Sequence, residues 1–293
     1  SGTLTVGGNL AVYNISSGYT ITLNNSVNST PIFIGGGLDL KNSQSGDGAY
    51  TKGSETITFT GTNNGAANSY TIRTNGSALN NVTINNSESG ANVDTWTLQD
   101  TTTISGTLTL TKGILTTGGQ TLSVGVYSQG GGTFNAGASA ITSYGNFSIT
   151  AGTFNAGTST VILDATNNDI SLIANGYTLN NASFKTTSNA AIRTIRLGSS
   201  SGQTINFSGN VYLYAMGTQG LIIDASTYNP DISISGNFGT ITYDNILTNP
   251  GFETGDLTGW TVDYSGGGYV SVQSWNPHSG YYFAYFDAYY SSV

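Results

Sequence analysis

The chain has 293 residues, of which 37% are hydrophobic and only 8% are charged. An ordinary soluble domain carries about 25% charged residues, yet the apolar content argues against a disordered chain. The formal net charge is −8 and the seven Lys and Arg residues are scattered, which argues against nucleic acid and anionic membranes as partners. Cysteine is absent, so disulfides, thiolate metal sites and cysteine nucleophiles are excluded.

The start of the chain reads as part of a longer repetitive sequence. Ser1-Gly-Thr-Leu4 resembles the middle of a repeat, without an initiator Met or a signal peptide. We therefore expect a processed product or one part of a longer chain. Since no run approaches roughly 18 consecutive apolar residues, we expect no membrane insertion in this segment.

Internal repeats run through residues 1–243. Ser1-Gly-Thr-Leu-Thr-Val6 returns as Ser105-Gly-Thr-Leu-Thr-Leu110, an offset of 104 residues. Leu79-Asn-Asn-Val82 returns as Leu179-Asn-Asn-Ala182, an offset of 100 residues. Repetition in one order at nearly one spacing is typical of a repeat architecture.

A shorter period and a two-residue alternation lie within these repeats. Gly132-Thr-Phe-Asn-Ala-Gly137 returns 20 residues later at Gly152–Gly157. Thr107-Leu-Thr-Leu110 places an apolar side chain at every second position, as a strand with one buried face does. A string of sandwiches and a stacked solenoid both fit, but the short period favours the solenoid. We predict an all-β fold with a right-handed parallel β-helix over residues 1–243.

Paired asparagines occur between the predicted strands. Asn85-Asn86 and Asn180-Asn181 lie at turns, where their side chains could stack as ladders at the corners of the coils. The alternative is that asparagine is there because it tolerates left-handed turn geometry. The sequence alone leaves both interpretations open.

Carboxylates in residues 1–243 are candidates for lyase or glycosidase chemistry, which needs grouped acids. Asp39, Asp94, Asp164 and Asp224 are isolated in the sequence, and we expect them to be solvated turn residues. Asp164 and Asp169 could reach the carboxyl separation of an inverting glycosidase across coils, but nothing in the sequence requires it.

Basic and nucleophilic candidates are equally sparse. Arg193 and Arg196 would lie on opposite faces of a strand, because their spacing is odd. His278 is the only histidine, and no strained Gly-x-Ser-x-Gly turn precedes it. We therefore predict no catalytic residues and no enzymatic activity.

Residues 244–293 differ in character from the repeats. Asn-Ile-Leu-Thr-Asn-Pro-Gly-Phe-Glu-Thr-Gly-Asp-Leu-Thr-Gly-Trp at 245–260 and Asn-Pro-His-Ser-Gly at 276–280 resemble phrases of carbohydrate-binding-module-like jelly rolls. A complete jelly roll has about eight strands, so the resemblance implies an incomplete module, a partial β-sandwich. We expect the remainder to lie outside the numbered chain. The alternative is completion by strand addition from a neighbouring subunit.

The jelly-roll resemblance also implies candidate binding residues. It implies Glu253 as a ligand of structural Ca²⁺. Because Ca²⁺ takes six to eight oxygens, Asp256 or Asp287 would join it, together with backbone carbonyls and waters. Five aromatic residues could stack on sugar faces, although core or interface packing is the favoured interpretation. These residues are Trp275, Tyr281, Tyr282, Tyr289 and Tyr290.

The phrases at 79–86, 105–110 and 152–161 resemble the β-helical passenger regions of large bacterial and archaeal surface proteins. That resemblance implies an architecture and an extracellular or cell-surface location, without a function. We expect a non-catalytic structural protein that self-associates into a fibre. The alternatives are a glycan-binding adhesin and a polysaccharide-degrading β-helix enzyme.

Overall fold

A computed structural model describes residues 2–13, 19–41, 48–174, 176–216, 219–240, 269–274 and 283–287. The chain forms two compact units, Ser1–Thr240 and Ile241–Val293. Apart from one short 3₁₀ helix at Gly90–Asn92, every regular element in the described residues is a β strand. None of these described segments is a helix long and apolar enough to cross a membrane.

The strands are short and follow one another at close intervals. They are β1 (Leu4–Val6), β2 (Leu10–Ala11), β3 (Ile21–Asn24), β4 (Ile32–Ile34), β5 (Leu38–Asp39), β6 (Gly48–Thr51), β7 (Thr56–Phe59), β8 (Ser69–Arg73), β9 (Asn81–Asn85), β10 (Thr95–Leu98), β11 (Thr102–Lys112), β12 (Ile114–Thr116), β13 (Leu122–Asn135), β14 (Ala140–Ser143), β15 (Phe147–Asn155), β16 (Thr160–Asp164), β17 (Ile170–Ile173), β18 (Thr178–Leu179), β19 (Asn181–Thr186), β20 (Arg193–Leu197), β21 (Thr204–Phe207), β22 (Val211–Ala215), β23 (Leu221–Asp224), β24 (Asp231–Ile234), β25 (Phe238–Thr240), β26 (Tyr269–Gln273) and β27 (Phe283–Asp287).

Strand pairing in the first unit is parallel throughout the described residues, and it forms a solenoid with three faces. The first face runs through β1, β4, β7, β9, β11, β13, β15, β17, β20 and β23. The second runs through β2, β5, β8, β10, β12, β13 and β15, and continues with β18, β21 and β24. The third contains β3 and β6, then β11, β13, β14, β16, β19, β22 and β25.

These pairings give ten successive coils and confirm the predicted parallel β-helix; its handedness stays a prediction. Strands β11, β13 and β15 are long because each continues through a corner onto the next face. A residue in one coil therefore meets its register partner one coil later. Each internal coil pairs with its two neighbours, as expected for a solenoid.

Register partners explain the repeats in the sequence. Phe134 pairs with Phe154, so the 20-residue echo is one coil. Leu4 and Leu108 lie four coils apart on the first face, so the 104-residue echo is a multiple of the coil. The echo at Leu79 and Leu179 differs. It precedes a first-face strand, β9, in one case and a third-face strand, β19, in the other.

Alternating burial builds a continuous apolar column inside the coils. In β7 the side chains of Ile57 and Phe59 are buried, whereas the two threonines are half-buried. In the central coils the interior is aromatic. The ring of Tyr127 stacks on Phe147 at 4.5 Å, and the ring of Phe134 stacks on Phe154 at 5.4 Å.

One tryptophan connects coils that are not adjacent. Trp96 is fully buried on β10, and its indole N–H donates to the carbonyl of Gly36 at 2.8 Å. Gly36 lies two coils earlier, at the corner after β4. In the intervening coil, residues 63–67 of the corner between β7 and β8 are exposed.

The second unit contains the antiparallel pair β26–β27, in which Tyr269 lies opposite Asp287. Antiparallel pairing distinguishes this unit from the parallel solenoid, and it is the pairing that a sandwich or jelly roll uses.

Candidate functional site at the ends of the solenoid

The first coil exposes part of the apolar column. Strands β1, β2 and β3 pair on one side only, with β4, β5 and β6, among the described residues. Leu4 is in register with Ile32, and Ile21 with Gly48. Leu4 is 37% exposed and Ile21 is 47% exposed, whereas Ile32 one coil inward is 1% exposed. Column-facing side chains thus remain open to solvent at this end.

The last described coil also exposes apolar side chains that face the column. Within the described part of the chain, β23, β24 and β25 pair only with β20, β21 and β22. Phe238 is in register with the buried Val211 but is 62% exposed. Ile232 is in register with the buried Ile205 but is 42% exposed. Both residues continue the column beyond its covered part.

Backbone groups of the first coil also point away from the second coil. In a parallel ladder, alternate residues direct their N–H and C=O groups to opposite sides. The Leu4 N–H donates to Pro31 O at 3.0 Å and the Val6 carbonyl accepts from Gly35 N–H at 2.8 Å. The polar groups of Thr5 therefore point to the open edge. An edge with free ladder groups is a template for a further strand.

Asparagine side chains connect neighbouring coils at the corners. The Oδ1 atom of Asn181 accepts from Asn210 N–H at 2.8 Å, and the Oδ1 atom of Asn210 accepts from Asn237 N–H at 2.9 Å. In the first two coils, Asn9 Oδ1 accepts from Gly37 N–H at 2.7 Å. Asn237 lies in the last coil and is exposed. These hydrogen bonds between an asparagine side chain and a backbone amide of the next coil, here called asparagine rungs, thus continue to the last described coil.

The predicted ladder of asparagine side chains is wrong for Asn181, because its Oδ1 atom accepts from a backbone amide of the next coil. It is also wrong for Asn86, which is buried and donates through Nδ2 to Asp94 Oδ2 at 2.9 Å. A ladder of two asparagine side chains occurs between Asn155 and Asn135, at 2.7 Å within the 20-residue repeat. The alternative of left-handed geometry does not apply to the predicted pairs. Outside glycine, positive φ among the described residues occurs at Ser29, Asn75 and Asn229.

The ion pairs of the described residues all join register partners in adjacent coils. Lys185 Nζ lies 3.0 Å from Asp164 Oδ2, Arg196 Nε lies 3.3 Å from Asp224, and Arg73 Nη1 lies 3.7 Å from Asp39. Each pair also appears in the strand register. Because a slip of one residue would separate the charges, these pairs favour the native register.

Two carboxylates are not the solvated turn residues that the sequence predicted. Asp94 is fully buried and accepts hydrogen bonds from Thr62 N–H, from Asn86 Nδ2 and from both the backbone N–H and Nδ2 of Asn68. Asp164 is also buried, beside Lys185. Buried charges need such partners. Asp94 therefore fixes the outward loop at residues 60–68, a role that its position in the sequence does not reveal.

Of the candidates for catalysis, Asp164, Asp169 and Arg196 make structural contacts, whereas the buried Nε of Arg193 has no hydrogen-bond partner among the described residues. Asp169 Oδ1 accepts from Thr194 N–H at 2.9 Å, and Asp164 accepts from Thr166 besides its ion pair. Arg193 lies on the column-facing side of β20, and Arg196 on the opposite side. Among the described residues, no group of three His, Cys, Asp or Glu side chains could hold a metal ion.

Among the described residues, three groups have a perturbed pKa, each with a structural cause. Burial raises the pKa of Tyr127 well above its usual value. Burial also raises the pKa of Tyr50, with a further contribution from its hydrogen bond to Glu55. The hydroxyls of Thr227 and Ser226 lower the pKa of Asp224. Asp224 is thus held as a carboxylate acceptor.

A shallow groove of about 340 Å³ lies at the corner after β11. Lys112 lines it, while its Nζ donates to the Ser87 carbonyl at 3.4 Å. The other lining residues are Ser89, Gly90, Val93, Gly113, Ile114, Gly132 and Thr133. A single cation without a carboxylate in the lining does not form an acid–base pair.

The binding residues predicted in the second unit are not tested. Glu253, Asp256, Trp275, Tyr281, Tyr282, Tyr289, Tyr290 and the histidine His278 lie outside the described residues. Asp287 is described as the last residue of β27. Their proposed roles in Ca²⁺ and glycan binding stay predictions.

Comparisons with known proteins add no family. The chain matches no protein-family model, no curated protein and no solved structure.

Proposed function

We propose that this protein is a non-catalytic structural component of an extracellular surface or filament, which self-associates through its solenoid. The observation that carries the proposal is the parallel ladder and apolar column of the first unit, in which successive coils pack on one another. Stacking of coils on such a ladder buries apolar surface, and this burial favours association.

The use of polar residues supports a structural role. The described ion pairs and asparagine rungs join one coil to the next, and buried Asp94 holds a loop. The extracellular location rests on the resemblance of the repeats to β-helical surface proteins and on the absence of cysteine.

Electron microscopy of the native material tests this function. Regular filaments, or rods joined along their length, are the expected result. Monodisperse single rods at all concentrations would refute self-association, and projections anchored singly to an envelope would favour an adhesin.

The jelly-roll resemblance of residues 245–260 supports a second proposal, in which the C-terminal unit binds a glycan or Ca²⁺. A glycan array with the full chain tests it, and the Trp275→Ala variant would lose retention. Calorimetric titration with Ca²⁺ tests the ion, and Glu253→Gln should abolish the heat of binding. Binding unchanged by these substitutions would remove the assigned residues.

A further inference from the structure

We propose that the loop at residues 60–68 carries a self-modification site, at which Asn64 deamidates through attack by the backbone nitrogen of Gly65. Glu88 is the general base of this reaction. The inference goes beyond the proposed structural role and does not depend on self-association. It assigns a single-turnover reaction to the corner between β7 and β8.

The residue types of the loop suit an attack of backbone on side chain. Gly65 directly follows Asn64, and both residues are exposed. Gly65 has a φ of 74°, a left-handed conformation that favours glycine. Because glycine carries no side chain, nothing attached to its own Cα shields the nitrogen that would attack the amide carbon of Asn64.

A carboxylate is already bonded to the attacking nitrogen. The Gly65 N–H donates to Glu88 Oε1 at 2.5 Å. Glu88 is only 7% exposed, and its other oxygen, Oε2, is buried without a hydrogen-bond partner among the described residues. Burial with so few partners penalises the charged form of a carboxylate, which favours uptake of the Gly65 proton. A base within hydrogen-bond reach of the proton meets the geometric requirement for general-base catalysis.

Two donors face the oxygen that would take up negative charge. Asn64 Oδ1 accepts from Ala66 N–H at 3.1 Å and from Asn68 Nδ2 at 3.1 Å. Attack on Cγ of Asn64 turns this carbonyl oxygen into an oxyanion, which such donors stabilise. The bond to Ala66 N–H is that of an Asx turn, which folds the asparagine side chain over its own backbone.

Buried Asp94 holds the two sides of the loop together. Its Oδ2 atom accepts from Thr62 N–H at 3.2 Å, and its Oδ1 atom accepts from Asn68 N–H at 2.7 Å. Within the loop, the Asn64 N–H donates to the Thr62 carbonyl at 2.9 Å. These bonds keep the nucleophile, the base and the oxyanion donors in place, and such positioning lowers the barrier to an intramolecular reaction.

The groups named here and solvent water balance the reaction. The Gly65 nitrogen gives its proton to Glu88 and forms a bond to Cγ of Asn64. The bond from Cγ to Nδ2 then breaks, and Nδ2 leaves as ammonia with the proton that Glu88 returns. Water opens the resulting succinimide ring at either carbonyl, which gives aspartate or isoaspartate. Nothing is oxidised or reduced.

A second Asn–Gly pair in the described residues, Asn75–Gly76, provides a comparison within the chain. The carboxylate beside it belongs to Asp100, and it accepts from Asn75 N–H at 2.6 Å. The side chain of Asn75 is held on the neighbouring coil, because its Nδ2 donates to the Gly48 carbonyl at 3.1 Å. This pair therefore lacks the arrangement of base and oxyanion donors found at Asn64.

Mass spectrometric peptide mapping of the full chain during incubation at neutral pH tests the site. Asn64 should convert to aspartate and isoaspartate at least tenfold faster than Asn75, since a general base contributes about 10²–10⁴-fold. Glu88→Gln, which keeps the size of the side chain, should slow conversion of Asn64 at least tenfold and leave that of Asn75 unchanged. Equal rates at Asn64 and Asn75 would overturn the proposal.

The pH dependence separates the role of a base from a structural effect of the substitution. In Glu88→Gln, hydroxide must act as the base, so conversion of Asn64 should rise more steeply with pH than in the unsubstituted chain. Hydrogen exchange of the Asn68 amide reports whether the substitution loosens the loop. Equal pH slopes in the two chains would refute the role of Glu88, whether or not the loop is loosened.

Discussion

Replacement of Phe147 by alanine should weaken the central coils of the solenoid. Its side chain is fully buried. The ring stacks on Tyr127 at 4.5 Å with an interplanar angle of 16°, and it meets Phe154 edge-on at 6.0 Å. The alanine variant would leave a cavity between three neighbouring coils, because the rigid backbone ladders on either side limit collapse.

The expected loss follows from burial and ring contacts. Truncation of a buried phenylalanine to alanine costs about 3–5 kcal/mol of the free energy of unfolding, and this range includes the lost aromatic contacts. Tyr144, three residues earlier and 46% exposed, provides a matched control. Its replacement by alanine should cost at most about 0.5 kcal/mol.

Native-state hydrogen exchange is the appropriate assay, since a solenoid need not unfold in one step. The amides of β13, β15 and β17 should exchange at least a hundredfold faster in Phe147→Ala, because each factor of ten corresponds to about 1.4 kcal/mol. Amides in β4 and β7 should change much less. A loss of stability equal to that of Tyr144→Ala would refute the cavity argument. An equal loss of amide protection over the whole unit would refute the expectation that the effect stays in neighbouring coils.

Three further substitutions or conditions give separate tests. Asp94→Ala should cost about 2–6 kcal/mol in denaturant unfolding, because two backbone amides lose their buried acceptor at about 1–3 kcal/mol each; a loss below 1 kcal/mol would contradict this. Gly119→Ala should lower the free energy of unfolding by about 1–2 kcal/mol, because of its positive φ alone. Gly152→Ala should lower it further, because the added Cβ would also collide with a backbone carbonyl of the preceding coil. Equal losses for the two variants would be inconsistent with that collision. The raised pKa of Tyr50 and Tyr127 means that the unfolded chain loses these protons first, near pH 10. Melting temperature should therefore fall as pH rises above about 10, and Tyr127→Phe should reduce the slope; an unchanged slope would contradict the assignment.

The fold could be predicted because its signals are local. Alternation at Thr107–Leu110 and the echo at Gly132–Gly157 directly reflect strand burial and coil length. The face on which each strand lies is harder to predict, because register partners in adjacent coils are between 19 and 34 residues apart. The same phrase, Leu-Asn-Asn, therefore precedes different faces at Leu79 and Leu179.

The candidate site could not be predicted in the same way. Nothing in the sequence near Leu4 or Phe238 distinguishes an end strand from an internal one, since both follow the common alternation. Exposure of these residues depends on which coil lies outermost. Burial of Asp94 likewise depends on two loops, residues 60–68 and 86–94, that meet only when the coils stack.

The coils differ in length at their corners, whereas the strand ladders between the corners are kept. The corner after β7 contains nine residues, 60–68, whereas the corner between β11 and β12 contains Gly113 alone, yet the strands on either side keep the same parallel ladder. Additional length is thus absorbed outside the column. A lineage of such chains could exchange corner segments, and an engineer could graft peptides there, while the scaffold persists unchanged.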